Sequence, residues 1–335
     1  MAYSIKQVKD VSSVLMRELA GDERFITHAH NPCIVDILNK TFGWEGGAFL
    51  VLDGDKPIGY FAGMIIKGRI VSMPHFSFGG LITSCPERNE IYSEILPKLY
   101  EYFSGSYKSD ISYLLRDTER VGAYVQDNKV ISWINILGKS VNQVIPATQL
   151  AKARKAIENG LICKSGGIEL LDDFYRVYSR NMLRLGSPVM PKRFFANILK
   201  GYLNGISRIF CVYKEKAPVG ASFLMSYMDF FENTWFSTLQ NHNQSFPAQL
   251  LHYEMISFSI SEGGHTYSFG RSTSGSGVHE FKRRWGTEET IIYWNYDKPV
   301  KMNLRKLEFL STIWKLLPLS LANVLGPIVS GRIYF

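Results

Sequence analysis

The sequence predicts an α/β protein of two tandem lobes, each a twisted mixed sheet flanked by helices, followed by a C-terminal amphipathic helical tail. Three observations predict it: a strand hairpin that occurs twice, helices repeated on either side of it, and a basic segment of apolar periodicity near the end. A chain of 335 residues has room for two units of about 150 residues, each with its own core. With 46% hydrophobic, 13% aromatic and 20% charged residues, the composition is that of a folded protein with apolar-walled clefts and excludes a disordered one.

The hairpins show the repeat most directly. Phe49-Leu50-Val51-Leu52 passes through the polar turn Asp53-Gly54-Asp55-Lys56 into Pro57-Ile58-Gly59-Tyr60-Phe61. Ile209-Phe210-Cys211-Val212-Tyr213 passes through Lys214-Glu215-Lys216-Ala217 into Pro218-Val219-Gly220-Ala221. Each joins an apolar strand by a short turn to a strand opening on proline, a β-branched residue and glycine. Ahead of them, helices are expected over residues 8–19 and 33–41, and again over 171–185 and 191–203. Behind them come a third strand (70–73 and 234–238), a helix (90–103 and 248–261) and a further strand (111–115 and 266–269). The lobes are accordingly set at 1–145 and 146–300, with the tail at 301–335. A helix over 147–158 carries Lys152, Arg154 and Lys155, either as a solvated connector or as a phosphate-binding edge.

Charge and cysteine usage narrow the function. Of the net charge of +8, five units lie beyond residue 297, where Lys298, Lys301, Arg305, Lys306, Lys315 and Arg332 face Glu308 alone. The body is thus too weakly basic for a broad nucleic-acid surface, whose affinity rests on many phosphate contacts. Cys33, Cys85, Cys163 and Cys211 have neither metal-knuckle spacing nor disulfide density and read as reduced packing residues. His28 and His30, near Asp22, Glu23 and Asp36, form no recognisable ligand set. No basic-then-apolar leader opens the sequence, so a cytoplasmic address is expected.

In the tail, Leu304, Leu307, Leu310, Ile313, Trp314 and Leu317 recur at three- and four-residue steps, with Arg305, Glu308, Thr312 and Lys315 on the other side. This is an amphipathic helix ending at Pro318, too short to span a bilayer. It either packs on the second lobe or lies on a membrane surface through its cations and Trp314.

The order helix, hairpin, third strand, helix, strand resembles the GNAT acyltransferase fold. Asp173-Phe174-Tyr175-Arg176-Val177-Tyr178 with Met182, Arg184 and Gly186, then Pro191-Lys192-Arg193-Phe194-Phe195, is similar to the opening of the second lobe in FemAB-like proteins. Tyr267-Ser268-Phe269-Gly270-Arg271-Ser272 with Phe281-Lys282-Arg283-Arg284-Trp285-Gly286 resembles that family's closing segment. The tail's Leu317-Pro318-Leu319 and Leu325-Gly326-Pro327 resemble the subset associated with exopolysaccharide and PEP-CTERM systems. The resemblance implies two tandem GNAT-like lobes and an enzyme. It would transfer an acyl or aminoacyl group to an amine of a peptidoglycan precursor or surface glycopolymer, lipid-linked forms included. No tightly bound cofactor is implied. The donor would be aminoacyl-tRNA or an acyl thioester, acyl-CoA or acyl carrier protein. A non-catalytic, membrane-docked scaffold of the same fold is the alternative.

Within a GNAT lobe the third and fourth parallel strands part, and the helix that follows offers N–H groups to a donor phosphate. The loops at those places, His75-Phe76-Ser77-Phe78-Gly79-Gly80 and Gln240-Asn241-His242-Asn243-Gln244-Ser245-Phe246-Pro247-Ala248, lack the usual spaced glycines, which speaks against ordinary acetyl-CoA use. His75 and His242 lie in them as bases or as structural residues. A serine-glycine loop, Arg271-Ser272-Thr273-Ser274-Gly275-Ser276-Gly277, is the donor-binding candidate, with a plain surface turn as the alternative. Gln249 and Tyr253, one helical turn apart, line a donor tunnel or pack beneath the sheet. By the resemblance, Lys282 is the catalytic candidate, its ammonium stabilising charge on the reacting carbonyl oxygen. Arg184, Lys192 and Arg193, together with His75, are the acceptor-side candidates, the arginines for their two-oxygen fork. No nucleophile elbow, P-loop or dinucleotide fingerprint is present, favouring direct transfer.

Overall fold

Twelve strands form one sheet in the computed structural model, which describes residues 3–21, 25–108, 110–299 and 304–332, with side chains in the last stretch from residue 309. The chain begins β1 (Ser4–Val8), α1 (Ser13–Ala20), α2 (Cys33–Phe42), β2 (Glu45–Asp53), β3 (Lys56–Ile66), β4 (Arg69–Ser72), α3 (Arg88–Ser104) and β5 (Ser112–Asp117). It continues through β6 (Tyr124–Asn135), α4 (Val141–Val144) and α5 (Ala147–Glu158). The unit then recurs as β7 (Leu161–Gly166), α6 (Leu171–Leu185), α7 (Lys192–Gly201), β8 (Ser207–Lys214), β9 (Ala217–Tyr227), β10 (Phe230–Thr238), α8 (Pro247–Ser261) and β11 (Thr266–Thr273). Last come α9 (Gly277–Arg283), β12 (Glu288–Tyr296), α10 (Leu304–Lys315) and α11 (Leu319–Ser330).

Local chemistry sets many of these boundaries. Ser12 accepts from Leu15 N to cap α1, and Gly43 takes a left-handed conformation to end α2. Residues 8–19 are not one helix, as expected, but the end of β1 followed by α1. Ser4-Ile5-Lys6-Gln7-Val8 pairs antiparallel with Ala48 to Leu52, and that ladder overrides the helical period.

The strand order is β1-β2-β3-β4-β5-β12-β6-β11-β10-β9-β8-β7. β6 follows the first unit in sequence yet pairs with β11 of the second, and β12 follows the second unit yet pairs with β5 of the first. The two strands also pair with each other, so this crossing joins the half-sheets into one. Alternate residues of each strand face different cores. Ala48 and Leu50 of β2, with Ile209 and Cys211 of β8, enter a core shared by both units and covered by α1, α2, α6 and α7. Phe49 and Val51 pack under α3, while Phe210 and Val212 pack under α8. Each fully buried side chain of this size contributes about 1.5–3 kcal/mol. Polar contacts also tie the units together: Asn31 Nδ2 donates to Leu203 O at 2.6 Å, and Asn197 Nδ2 to Thr41 Oγ1 at 3.0 Å.

The tail is a helical hairpin. Its start, 301–303, and the side chains of Leu304, Arg305, Leu307 and Glu308 in the expected amphipathic pattern lie outside the described residues. Pro318 ends the first helix, as expected, but α11 follows and carries Pro327 within it. The hairpin packs through small residues on the end of α6: Ser311 Oγ donates to Leu185 O at 3.4 Å, and Gly326 lies against the Val189 backbone. Trp314 is half-buried with its indole N–H enclosed, so it is not an outward-facing membrane anchor. No described helix is long and apolar enough to cross a membrane.

Candidate active site

β10 and β11 are hydrogen-bonded in parallel only from Phe230 to Glu232, opposite Thr266 to Ser268. Beyond that point β10 stays with β9, whereas β11 stays with β6, pairing Arg271 with Ile131 and Thr273 with Lys129. The strands therefore part, and a cavity of about 980 Å³ opens between them. Asn233 to Thr238 form one wall and Phe269 to Arg271 the other. Trp235, packed at 5.1 Å and 90° against Phe195, belongs to an aromatic cluster beside this wall.

A β-bulge between Ser268 and Arg271 shapes the second wall, with Gly270 at φ +75°. Here the residue must be glycine: a Cβ would lie 3.0 Å from Asn233 O in a backbone conformation that side chains disfavour. The bulge supplies two carbonyls to Lys282 of α9, whose Nζ donates to Gly270 O at 2.7 Å and Arg271 O at 3.1 Å. Lys282 is buried, and burial pulls its pKa down to about 7, with the neighbouring Arg271 pulling the same way and Glu232 opposing.

Glu232 sits where the strands part. It is fully buried, and burial raises its pKa. Ser77 Oγ donates to its Oε1 at 2.8 Å and Ser268 Oγ to its Oε2 at 3.0 Å. His28 Nε2 stands 3.8 Å from Oε1, but burial lowers the His28 pKa to about 3, so the imidazole is neutral. Sequence reading missed Glu232. The available signal was a carboxylate directly after Phe230-Phe231 in an aromatic-rich strand, where a buried charge needs partners.

The cavity gathers most of the sequence-predicted residues. Lys282, Arg271, Gly277, Gln249, Arg184 and His75 all line it, as does Lys152 of α5. Arg184 is held by Asn181, whose Oδ1 accepts from Nε at 3.3 Å and Nη2 at 2.8 Å. His75 lies near Phe42 and Trp44, its ring stacked 5.5 Å from Trp44, and burial lowers its pKa to about 3. It is therefore a neutral wall rather than a base poised near pH 7. His252, not singled out from sequence, also lines the cavity. It stacks on Phe236 at 4.7 Å and is held neutral by burial.

Five candidates lie elsewhere. Ser272 is buried in the β11–β6 ladder. Gly275 donates its N–H to His279 Nδ1 at 3.0 Å, and Ser276 caps α9 by accepting from His279 N at 3.2 Å. The serine-glycine loop is thus a strand-to-helix turn. Tyr253 packs against the second-lobe core. Lys192 pairs with exposed Asp172, and Arg193 donates to Thr41 O at 2.7 Å, joining α7 to α2. Of the two neighbours of Lys282, Arg284 lines the cavity, while Arg283 pairs with Glu280 at 3.3 Å and Glu289 at 3.4 Å.

The corresponding opening in the first lobe is filled by its own chain. β4 and β5 pair only from Arg69 to Val71, opposite Ser112 to Leu114. The buried Arg116 then donates to Ser72 O and Met73 O, both at 2.9 Å. Ile82 bridges to Tyr60 at 2.8 Å, and Asp117 accepts from Tyr92 Oη at 2.6 Å. The displaced loop carries His75 and Ser77 to the second lobe's cavity, so the closed lobe furnishes part of the open one's wall.

Residues 149–283 match the family model for the acetyltransferase (GNAT) domain. That span, which contains the parted strands and Lys282, is a domain of the GNAT acyltransferase type. Over most of its length the chain is similar in fold to FemX, at a TM-score of 0.65 and 11% identity, covering 92% of this chain and 100% of that one. L-PGS from Bacillus licheniformis aligns at a TM-score of 0.55 and 11% identity over 93% and 100% of the two chains. A tandem GNAT protein from the clavulanic acid biosynthesis pathway aligns at 0.54 and 9% identity over 89% and 100%. At such identities the likeness is one of fold. No protein of curated function matches the sequence. The GNAT fold suggests a donor of the acyl-CoA type.

Proposed function

We propose that this chain moves an aminoacyl or acyl group directly onto an amine of a peptidoglycan precursor or cell-surface polysaccharide intermediate, with the chemistry in the second lobe, residues 146–300. The observation that carries the reading is Lys282, a buried amine on the wall of the opening between β10 and β11, anchored by two of its three donors. A donor arm lying between the parted strands brings its ester or thioester carbonyl to that wall. The neutral acceptor amine attacks the carbonyl carbon, a C–N bond forms, and the electron pair moves onto oxygen. The Lys282 ammonium stabilises that oxyanion. Collapse breaks the C–O or C–S bond, and the amine's proton leaves with the ribose hydroxyl or thiol. Arg184 and Lys152 supply cations for acceptor phosphate.

Aminoacyl-tRNA is favoured over coenzyme A by the loop before α8. Gln240 to Ser245 form their own 3-10 turn, Pro247 removes one N–H from the first turn of α8, and the N–H groups of Gln249 and Leu250 bond to Phe246 O. Little is left there to hold a pyrophosphate. The GNAT fold itself supports acyl-CoA or acyl carrier protein as the second reading. In either case the proposed acceptor is lipid-linked and met at the cytoplasmic face of the membrane.

Mass spectrometry of amine-bearing envelope precursors incubated with charged tRNA, acyl-CoA or acyl carrier protein tests the reading. One donor should give the acylated product, and Lys282→Ala should lower its rate by about a hundredfold or more. No transfer from any donor, or full activity in the variant, would overturn it.

A further inference from the structure

Exposed large hydrophobic residues concentrate on α10 and α11. Of nineteen exposed large hydrophobic residues, seven lie between Phe309 and Ile328. On α11, Leu321, Val324 and Ile328 follow one another at helical spacing, opposite the buried Ala322, Gly326 and Ser330. On α10 and the turn, Phe309 is 64% exposed and Leu316 is 80% exposed. A patch of this kind on a folded chain marks a binding surface.

Three features select its occupant. No acidic residue occurs from Phe309 to Arg332, whereas Lys315 and Arg332 are both exposed. A second copy would bring like charges together, while an anionic bilayer complements them. Each helix has twelve residues, about 18 Å, and with small residues seated on the body it lies flat rather than spanning. The hairpin also borders the cavity by its inner face: Ser330 of α11, with Arg184 and Leu185 of α6, lines it.

We infer that the hairpin is a bilayer-docking surface, engaging anionic lipid in the membrane plane and setting the acceptor side of the cavity against it. Phe309, Leu316, Leu321, Val324 and Ile328 enter the acyl boundary, and Lys315 meets headgroup phosphate. The inference deepens the proposed reaction by saying where a lipid-linked acceptor is met. Vesicle binding is scored without donor or acceptor, so failure of either idea is distinguishable from failure of the other.

The test is flotation of the full chain with vesicles of phosphatidylcholine alone or mixed with phosphatidylglycerol. The wild type should float with the mixed vesicles and much less with the neutral ones. Leu316→Asp/Val324→Asp alters two outward-facing residues. It should keep its thermal midpoint and its transfer to a soluble acceptor, and lose vesicle partitioning roughly tenfold or more. Lys315→Glu should weaken binding to mixed vesicles alone. A wild type that stays in the pellet fraction, undiminished flotation of the double variant, or light scattering that reveals a dimer broken by that variant would overturn the inference.

Discussion

The hydroxyl of Ser77, from the first lobe, donates to Glu232 Oε1, from the second, at 2.8 Å. This bond crosses the lobe boundary just where β10 and β11 part, and it fixes a buried carboxylate that favours the charged form of Lys282. The first lobe, whose own opening is closed by Arg116, therefore acts on the second through the buried carboxylate that faces Lys282 electrostatically.

A consequence follows for the pH profile. Lys282 has a pKa of about 7, so its ammonium is lost as pH rises through neutrality, and the transfer rate should fall along that limb. Glu232 raises the lysine's pKa, so Glu232→Gln should move the falling limb to lower pH. Initial rates across pH for both proteins would measure it. A limb that stays in place would mean that Glu232 supports the fold without tuning the lysine.

Gly270 can be tested independently of catalysis. Its φ of +75°, and the Asn233 carbonyl oxygen 3.0 Å from where a Cβ would sit, leave alanine strained twice over. Gly270→Ala should cost about 1–3 kcal/mol in urea unfolding and should reduce transfer, since the strained bulge carries the Lys282 acceptors. Unchanged stability and rate together would show that the bulge relaxes freely.

Much of the scaffold was legible because its signals are local. The two hairpins declare themselves by apolar strands, polar turns and the Pro-Ile-Gly and Pro-Val-Gly openings, and α2 and α6 by apolar period and a terminal glycine. The crossing of β6 and β12 was not legible, because strand partners are chosen by tertiary pairing and β6 includes the polar run Gln126-Asp127-Asn128-Lys129. Lys282 and Arg271, which line the cavity, were singled out through a family resemblance. Glu232 was passed over because its partners, Ser77 and Ser268, are 155 and 36 residues away. Ser272 and Gly275 drew attention as loop-forming residue types, although ladder pairing and helix capping explain them.

Arg184 offers a test of the acceptor side. Asn181 Oδ1 holds its Nε and Nη2, and Asn181 Nδ2 is itself tied to Ser237 Oγ at 3.2 Å, so the guanidinium is positioned before any ligand arrives. Arg184→Lys keeps the charge and loses the fork. For a phosphate-bearing acceptor it should raise KM about tenfold with little change in kcat. An unchanged KM would remove Arg184 from acceptor binding.

Buried histidines should make the fold acid-sensitive. His28, His30 and His75 each have a pKa of about 3, lowered chiefly by burial. For His30 the neutral form is built in: Nδ1 accepts from Thr27 N at 3.0 Å, which leaves Nε2 to donate to Gly80 O at 3.2 Å. The unfolded chain takes up protons near pH 6.5 and the folded chain only near 3, so this stability is complete above 6.5 and is lost as pH falls between the two values. Each such histidine contributes a slope of about 1.4 kcal/mol per pH unit in that window. His28, which packs edge-on against Phe76 at 5.3 Å, gives the cleanest substitution. His28→Phe should make the decline in urea-unfolding free energy between pH 6.5 and 5 shallower by about that amount. A wild type whose stability is flat across this range would show that these imidazoles are not held neutral by the fold.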